Sequence, residues 1–239
     1  MLVETKNVVG SSIEGSDGTV GTVEDLMFNG DTWSVRHLVV DAGSWLPYPR
    51  VLLSPRAIQQ TDWPSRRLSV AWSKQQIKDR PPTETDLPVS RRKEIEEAKY
   101  YAYGPHWSKA MGESVQGATS PNLRSVNEVI GYHIEARDGL IGHVEGFIVD
   151  DEGRNTEGWE IRYLIVHTRN WLPGKRVLIV APRWAESISW EEKKVVIALA
   201  REVVEESPEY DPTTPVNRCY EEVLYNYYGR PKYWTDRSG

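Results

Sequence analysis

Trp33-Ser34-Val35-Arg36-His37-Leu38-Val39-Val40 returns later in the chain as Trp159-Glu160-Ile161-Arg162-Tyr163-Leu164-Ile165-Val166. Each copy then meets the same tripeptide, Trp45-Leu46-Pro47 and Trp171-Leu172-Pro173, followed by Arg50-Val51-Leu52 and Arg176-Val177-Leu178. Upstream, Ile13-Glu14 with Asp17-Gly18 and Gly21 is answered by Ile134-Glu135 with Asp138-Gly139 and Gly142. Downstream, Pro81, Pro88 and Trp107 are answered by Pro208, Pro215 and Trp234. Relative to the first copy, the second has gained about five residues in the Asp151–Glu157 turn and one more opposite the Arg56 region, where surface loops tolerate a change of length. The chain is a duplicated module, and its function has to make use of two copies.

Each copy reads as short strands between turns. In the first, Val8 to Glu14 ends at Gly15-Ser16-Asp17-Gly18, whose Asp-Gly is a hairpin signal. Strands are expected at Thr19 to Phe28, Trp33 to Asp41, Arg50 to Ser54, Ala57 to Asp62 and Arg67 to Trp72. So many short strands at regular spacing indicate a small antiparallel barrel or sandwich. Ser73-Lys74-Gln75-Gln76 has the form of a capping box, so a short helix should run to Asp79; Ala200 to Glu206 takes its place in copy two. A tail follows each helix. The second tail carries Tyr220, Val223, Leu224 and Tyr227 at helical spacing, an apolar stripe able to dock. The first has Lys93, Glu96, Glu97 and Tyr100 at those places. Gly112, Gly117 and Ala118-Thr119-Ser120-Pro121 mark a tether. The expected organisation is a first module over 1–107, a linker over 108–125 and a second module over 126–239.

Composition narrows the class. With 239 residues the chain suits two ordinary domains. A charged fraction of 27% and a mean hydropathy of −0.55 describe a folded, soluble protein. No apolar run approaches the roughly 18 residues of a membrane helix, and no signal peptide is visible. Cys219, the sole cysteine, has no internal partner and fits a reducing cytoplasm; it reads as a buried, unreactive thiol. A net charge of −6 disfavours nucleic acid, which needs a basic surface.

The strands and turns resemble the PRC-barrel family, named for the cytoplasmic domain of the photosynthetic reaction centre H subunit. The resemblance rests on Asp17-Gly18-Thr19-Val20-Gly21-Thr22-Val23-Glu24-Asp25-Leu26, Val35 to Asp41, Trp45-Leu46-Pro47 and Val51 to Pro55. In copy two it rests on Asp138 to Glu145, Ile161 to Val166 and Trp171 to Leu178. The closing run from Tyr227 to Trp234 is similar to the tail of bacterial stand-alone members. The resemblance implies a mainly β chain: two small antiparallel PRC-type barrels in tandem, each followed by a short helix and an aromatic-rich tail. It also implies a non-enzymatic adaptor or assembly cap, in the cytoplasm, for a photosynthetic or other membrane-associated complex. Alternative readings are a ribosome- or RNA-linked maturation factor, and a small-ligand barrel or enzyme.

The residues themselves propose no catalytic group. Asp17 and Asp138 precede Gly in both copies and read as turn builders. The histidines at 37, 106, 133, 143 and 167 match none of one another between copies. His133 and His143 can face each other across a hairpin, near Glu135 and Glu145, but surface histidines on a polar strand face are the preferred reading. No cofactor or metal is expected. The partner-binding candidates are Trp45 and Leu46, Trp171 and Leu172, and the tail residues Tyr227, Tyr228, Tyr233 and Trp234. The expected partner is a protein, with self-association through barrels or tails as a further possibility.

Overall fold

Asp17-Gly18 turns the chain because Gly18 takes φ of +127°, and Gly139 does the same in copy two at +142°. From these turns the computed structural model builds two sheets; it describes residues 1–46, 50–79, 123–152, 158–168, 176–180 (backbone) and 184–234. Copy one supplies β1 (Leu2–Glu4), α1 (Thr5–Val8), β2 (Ser12–Gly15), β3 (Gly18–Asn29), β4 (Val35–Asp41), β5 (Arg50–Leu53), β6 (Ile58–Asp62), β7 (Arg67–Val70) and α2 (Lys74–Lys78). Copy two supplies β8 (Leu123–Ser125), α3 (Val126–Val129), β9 (His133–Ala136), β10 (Gly139–Asp150), β11 (Glu160–Thr168), β12 (Arg176–Val180), β13 (Ala185–Ser189), β14 (Lys194–Ile197), α4 (Arg201–Glu205) and α5 (Arg218–Tyr227).

The strand order is the same in both sheets, β5-β4-β3-β2-β7-β6 and β12-β11-β10-β9-β14-β13. The chain is therefore mainly β, as its sequence implies. The sheets are mixed rather than wholly antiparallel, because β2 pairs β7 in parallel and β9 pairs β14 in parallel. Among the described residues each sheet is an open path between two edge strands, not a closed barrel.

Each sheet also takes one short strand from the other copy. β1 lies antiparallel on β10, Leu2 opposite Asp150 and Glu4 opposite Ile148. β8 lies antiparallel on β3, Met27 opposite Ser125 and Asn29 opposite Leu123. The compact units follow this exchange. Unit 1 comprises Met1–Glu4, Glu128–Asp150 and Ile161–Gly239; unit 2 comprises Thr5–Asn127 and Asp151–Glu160.

The borrowed strands are anchored by carboxylates, Glu4 buried and Asp25 half-buried. In unit 1, Glu4 is buried and accepts from Tyr210 Oη at 2.9 Å. In unit 2, Asp25 accepts from the Ser125 hydroxyl, from the Asn127 amide at 3.2 Å and from the Leu26 amide at 2.8 Å. Desolvation is the main effect on Asp25 and raises its pKa from the ordinary carboxylate value, with these hydrogen bonds opposing the rise. Copy two has Gly146 at the matching place, so the anchoring differs between the units.

The core of unit 2 contains Ile13, Leu26, Phe28, Trp33, Leu38, Leu53 and Leu68. Trp33 stacks on Phe28, with ring centroids 5.2 Å apart. Its φ of +61° is left-handed, which is why β4 starts at Val35 rather than at Trp33. In copy two that conformation falls on Gly158, leaving Trp159 buried beside it. Ser73 caps α2 through the expected box with Gln76.

Gly21 and Gly142 mark the tightest approach between strands. A Cβ at Gly21 would lie 2.1 Å from the Asp41 carbonyl oxygen, and one at Gly142 would lie 2.0 Å from that of His167. No side chain fits either place.

Candidate functional site

The aromatic end of copy two is organised by a carboxylate. Glu221 projects from the buried face of α5 and is 1% exposed. It accepts hydrogen bonds from the Tyr163 hydroxyl of β11 and from Tyr233 Oη at 2.8 Å. Arg218, one turn back, places a guanidinium nitrogen 2.9 Å from the other Glu221 oxygen. Burial, followed by the negative charge of Glu221, pushes the Tyr163 phenol far above its ordinary pKa; Tyr233 is raised for the same reasons. Both hydroxyls therefore remain donors. Arg162 lies 4.4 Å from the Tyr233 ring centre and Arg218 lies 4.2 Å from that of Trp234. Tyr225 meets Trp234 edge-on at 4.8 Å, and Trp184 meets Tyr228 edge-on at 4.2 Å.

This arrangement assigns the tail candidates separate positions. Tyr228 is buried against Trp184, and Tyr233 and Trp234 fold back, half-buried, on Arg162, Arg218 and Tyr225. Tyr227 alone among the four is exposed. The expected stripe of Tyr220, Val223, Leu224 and Tyr227 is not the buried face of α5. Glu221, Leu224 and Tyr225 are buried there, while Val223 is 55% and Tyr227 39% exposed. The helix is rotated because Glu221 is satisfied inside by two phenols and an arginine, so an acidic residue occupies a core position.

The displaced apolar residues form a surface. Tyr227 Oη donates to the Val203 carbonyl of α4 at 2.9 Å, holding the end of α5 against α4. Val203 is 37% exposed, so Val203, Val223 and Tyr227 present apolar side chains on neighbouring elements. The other large exposed apolar residues among those described are Met1, Ile130 and Leu140. All six belong to unit 1.

Trp45 occupies a different setting in unit 2. Its indole nitrogen donates to the Val20 carbonyl at 2.9 Å, and Lys74 Nζ stands 5.5 Å from its ring centre. Trp45 and Leu46 are both half-buried, so the turn lies over the end of β3 rather than projecting from it. Trp171 and Leu172 lie outside the described residues.

Asp17 and Asp138 have a longer reach than turn building. Asp17 Oδ1 accepts from the first amide of α2, Lys74 N, at 2.8 Å; Asp138 Oδ1 accepts from the first amide of α4, Arg201 N, at 2.7 Å. Each hairpin turn thus caps the short helix that follows the last strand of its own copy. Cys219 is exposed rather than buried, because it lies on the solvent side of α5, two residues before Glu221. His133 and His143 do oppose each other in register across β9 and β10.

No helix among the described residues is long and apolar enough to cross a membrane, and no three of their His, Cys, Asp and Glu side chains converge where a metal could be held. No family model and no curated protein matches this chain.

Proposed function

We propose that this protein is a non-catalytic adaptor, a tandem pair of PRC-barrel-type modules in which unit 1 carries the partner-binding face. The observation that supports this reading is that the large exposed apolar side chains among the described residues lie on unit 1, with Val203, Val223 and Tyr227 gathered on α4 and α5. Exposed apolar side chains grouped on adjoining elements are characteristic of protein contact surfaces, and tyrosine is enriched among the residues that dominate binding. The matching strand order of the two sheets and the recurrence of the Trp-Leu-Pro turns support the tandem PRC-type reading.

The partner on this reading is a protein. The chain's net charge of −6 favours a partner with a neutral or basic face over nucleic acid. The Trp45 turn contributes mainly to stability, since its indole is already committed to Val20.

The test is quantitative affinity purification of the tagged full-length chain from its host, with soluble and membrane fractions kept apart. Val223→Ser/Tyr227→Ala is compared with wild type and with Gln59→Ala/Gln60→Ala on unit 2. A protein enriched by wild type and by the unit 2 variant, and lost with Val223→Ser/Tyr227→Ala at unchanged thermal stability, supports the adaptor reading. Equal recovery of every enriched protein by all three chains would sink it.

A further inference from the structure

Three of the five histidines stand in one row of unit 1. His133 on β9 is the register partner of His143 on β10, and β10 is in turn hydrogen-bonded to β11, which carries His167. The His143 and His167 imidazoles lie side by side, with ring centres 5.2 Å apart and planes inclined by 31°. Both are half-buried, whereas His133 is exposed. Among the described residues, His167 Nδ1 is shielded from solvent and has no hydrogen-bond partner.

The row belongs to copy two alone. Ser12, Thr22 and Asp41 hold the corresponding places in copy one, and they pair in the same way, Ser12 with Thr22 and Thr22 with Asp41. The backbone frame is therefore common to the modules, while three small polar side chains have become three imidazoles. The fold does not need histidine here, because its other copy forms the same register without any.

Directly opposed positions on neighbouring strands hold their Cβ atoms about 4.5–5.5 Å apart. That separation allows two imidazoles to turn onto one ion at the roughly 2.0–2.1 Å of a zinc–nitrogen bond. The close approach at Gly142, where no Cβ fits beneath the His167 carbonyl, fixes β10 against β11 at this point. Of the charged groups nearby, Lys194 is paired in register with His133, but its ammonium is held by Glu135 at 2.7 Å and Glu192 at 3.3 Å. Glu145, two residues along β10 from His143, adds a half-buried carboxylate on the same strand face.

We propose that His143 and His167 form a two-imidazole site for a divalent transition cation of the zinc and nickel class, with His133 as a flanking group and water completing the coordination. Imidazole donors select these ions over magnesium or calcium, which require oxygen ligands. The site is independent of the apolar face on α4 and α5 and does not rest on the adaptor reading.

Metal-free full-length protein is titrated calorimetrically with zinc chloride and with nickel chloride, beside His143→Gln, His167→Gln, His133→Gln and Cys219→Ser. Wild type and Cys219→Ser should each bind one equivalent. His143→Gln and His167→Gln should each lose at least the roughly 10-fold in affinity that even an outer-shell change costs a metal site. His133→Gln should lose less. Imidazole resonances of the wild type, followed by NMR during the zinc titration, give a readout that does not depend on the variants folding; His143 and His167 should shift first and together. No saturable binding by wild type, binding that survives both single substitutions, binding lost in Cys219→Ser, or shifts that begin at other histidines would each overturn the proposal.

Discussion

Glu221 on α5 accepts the phenolic hydrogen bond of Tyr163 on β11, across 58 positions of the chain. The pair joins the helix to the sheet and seats Tyr233 at the same carboxylate oxygen. Tyr163→Phe removes one of these donors but leaves Tyr233 and Arg218 in place, so it should cost about 1–2 kcal/mol. Glu221→Ala strips both phenols of their acceptor and Arg218 of its ion-pair partner, and should cost about 3–5 kcal/mol. Urea denaturation followed by tryptophan fluorescence measures both, and equal losses in the two variants would contradict the shared-acceptor arrangement.

The capping of α2 by Asp17 and of α4 by Asp138 predicts matched effects in the two copies. Asp17→Ala and Asp138→Ala should each lower stability by about 1 kcal/mol, the usual cost of removing a cap. Asp→Asn retains an acceptor oxygen and should recover part of that loss. Thermal unfolding of the four variants decides the matter: if either alanine variant melts with wild type, its cap contributes nothing.

Asp25 gives unit 2 a pH dependence of definite sign. Its pKa in the folded chain is raised above the ordinary carboxylate value, chiefly by burial. The folded state therefore holds this proton more strongly than the unfolded state does. The resulting stabilisation is fully present below the unfolded pKa of about 4 and is lost as pH rises through the raised folded value. Relative to Asp25→Asn, wild type should be most stable below about pH 4 and lose that advantage as pH rises. Paired melting curves across this range test the sign; an advantage that grows with pH would refute it.

Gly21→Ala and Gly142→Ala place a methyl about 2 Å from a carbonyl oxygen of the neighbouring strand. The strands have to separate to admit it, so each substitution should cost several kcal/mol, at the upper end of what single changes produce. Gly131→Ala is the useful comparison. Nothing would meet its Cβ within 4 Å, so only the strain of its φ of +92° is added. Soluble yield and melting temperature should rank Gly131→Ala above both close-approach variants.

The features legible in the sequence were those set by local signals. The Asp-Gly hairpins, the long β3 and the Ser73–Gln76 box all formed where spacing and turn chemistry placed them. The borrowed strands were not legible, because Leu2–Glu4 and Leu123–Ser125 are too short to show any period and draw their partners from the other copy. The face of α5 was misread because hydrophobicity assigns Glu221 to solvent, while its three partners come from β11, from one turn back on α5 and from the chain end. Trp33 looked like the first residue of a strand, but its left-handed backbone precedes that strand. His133 and His143 were recognisable as facing residues; His167 joins them through the β10–β11 pairing, which spacing does not reveal.

The borrowing of β1 sets an order of events during synthesis. Leu2 is made before its partner Asp150, which follows 148 residues later (150 − 2). At about 5–20 residues per second, a delay of roughly 7–30 s separates them. Throughout that interval β1 has no β10 edge to pair with. A strand made ahead of every strand of the first sheet thus pairs only after all of them have been made.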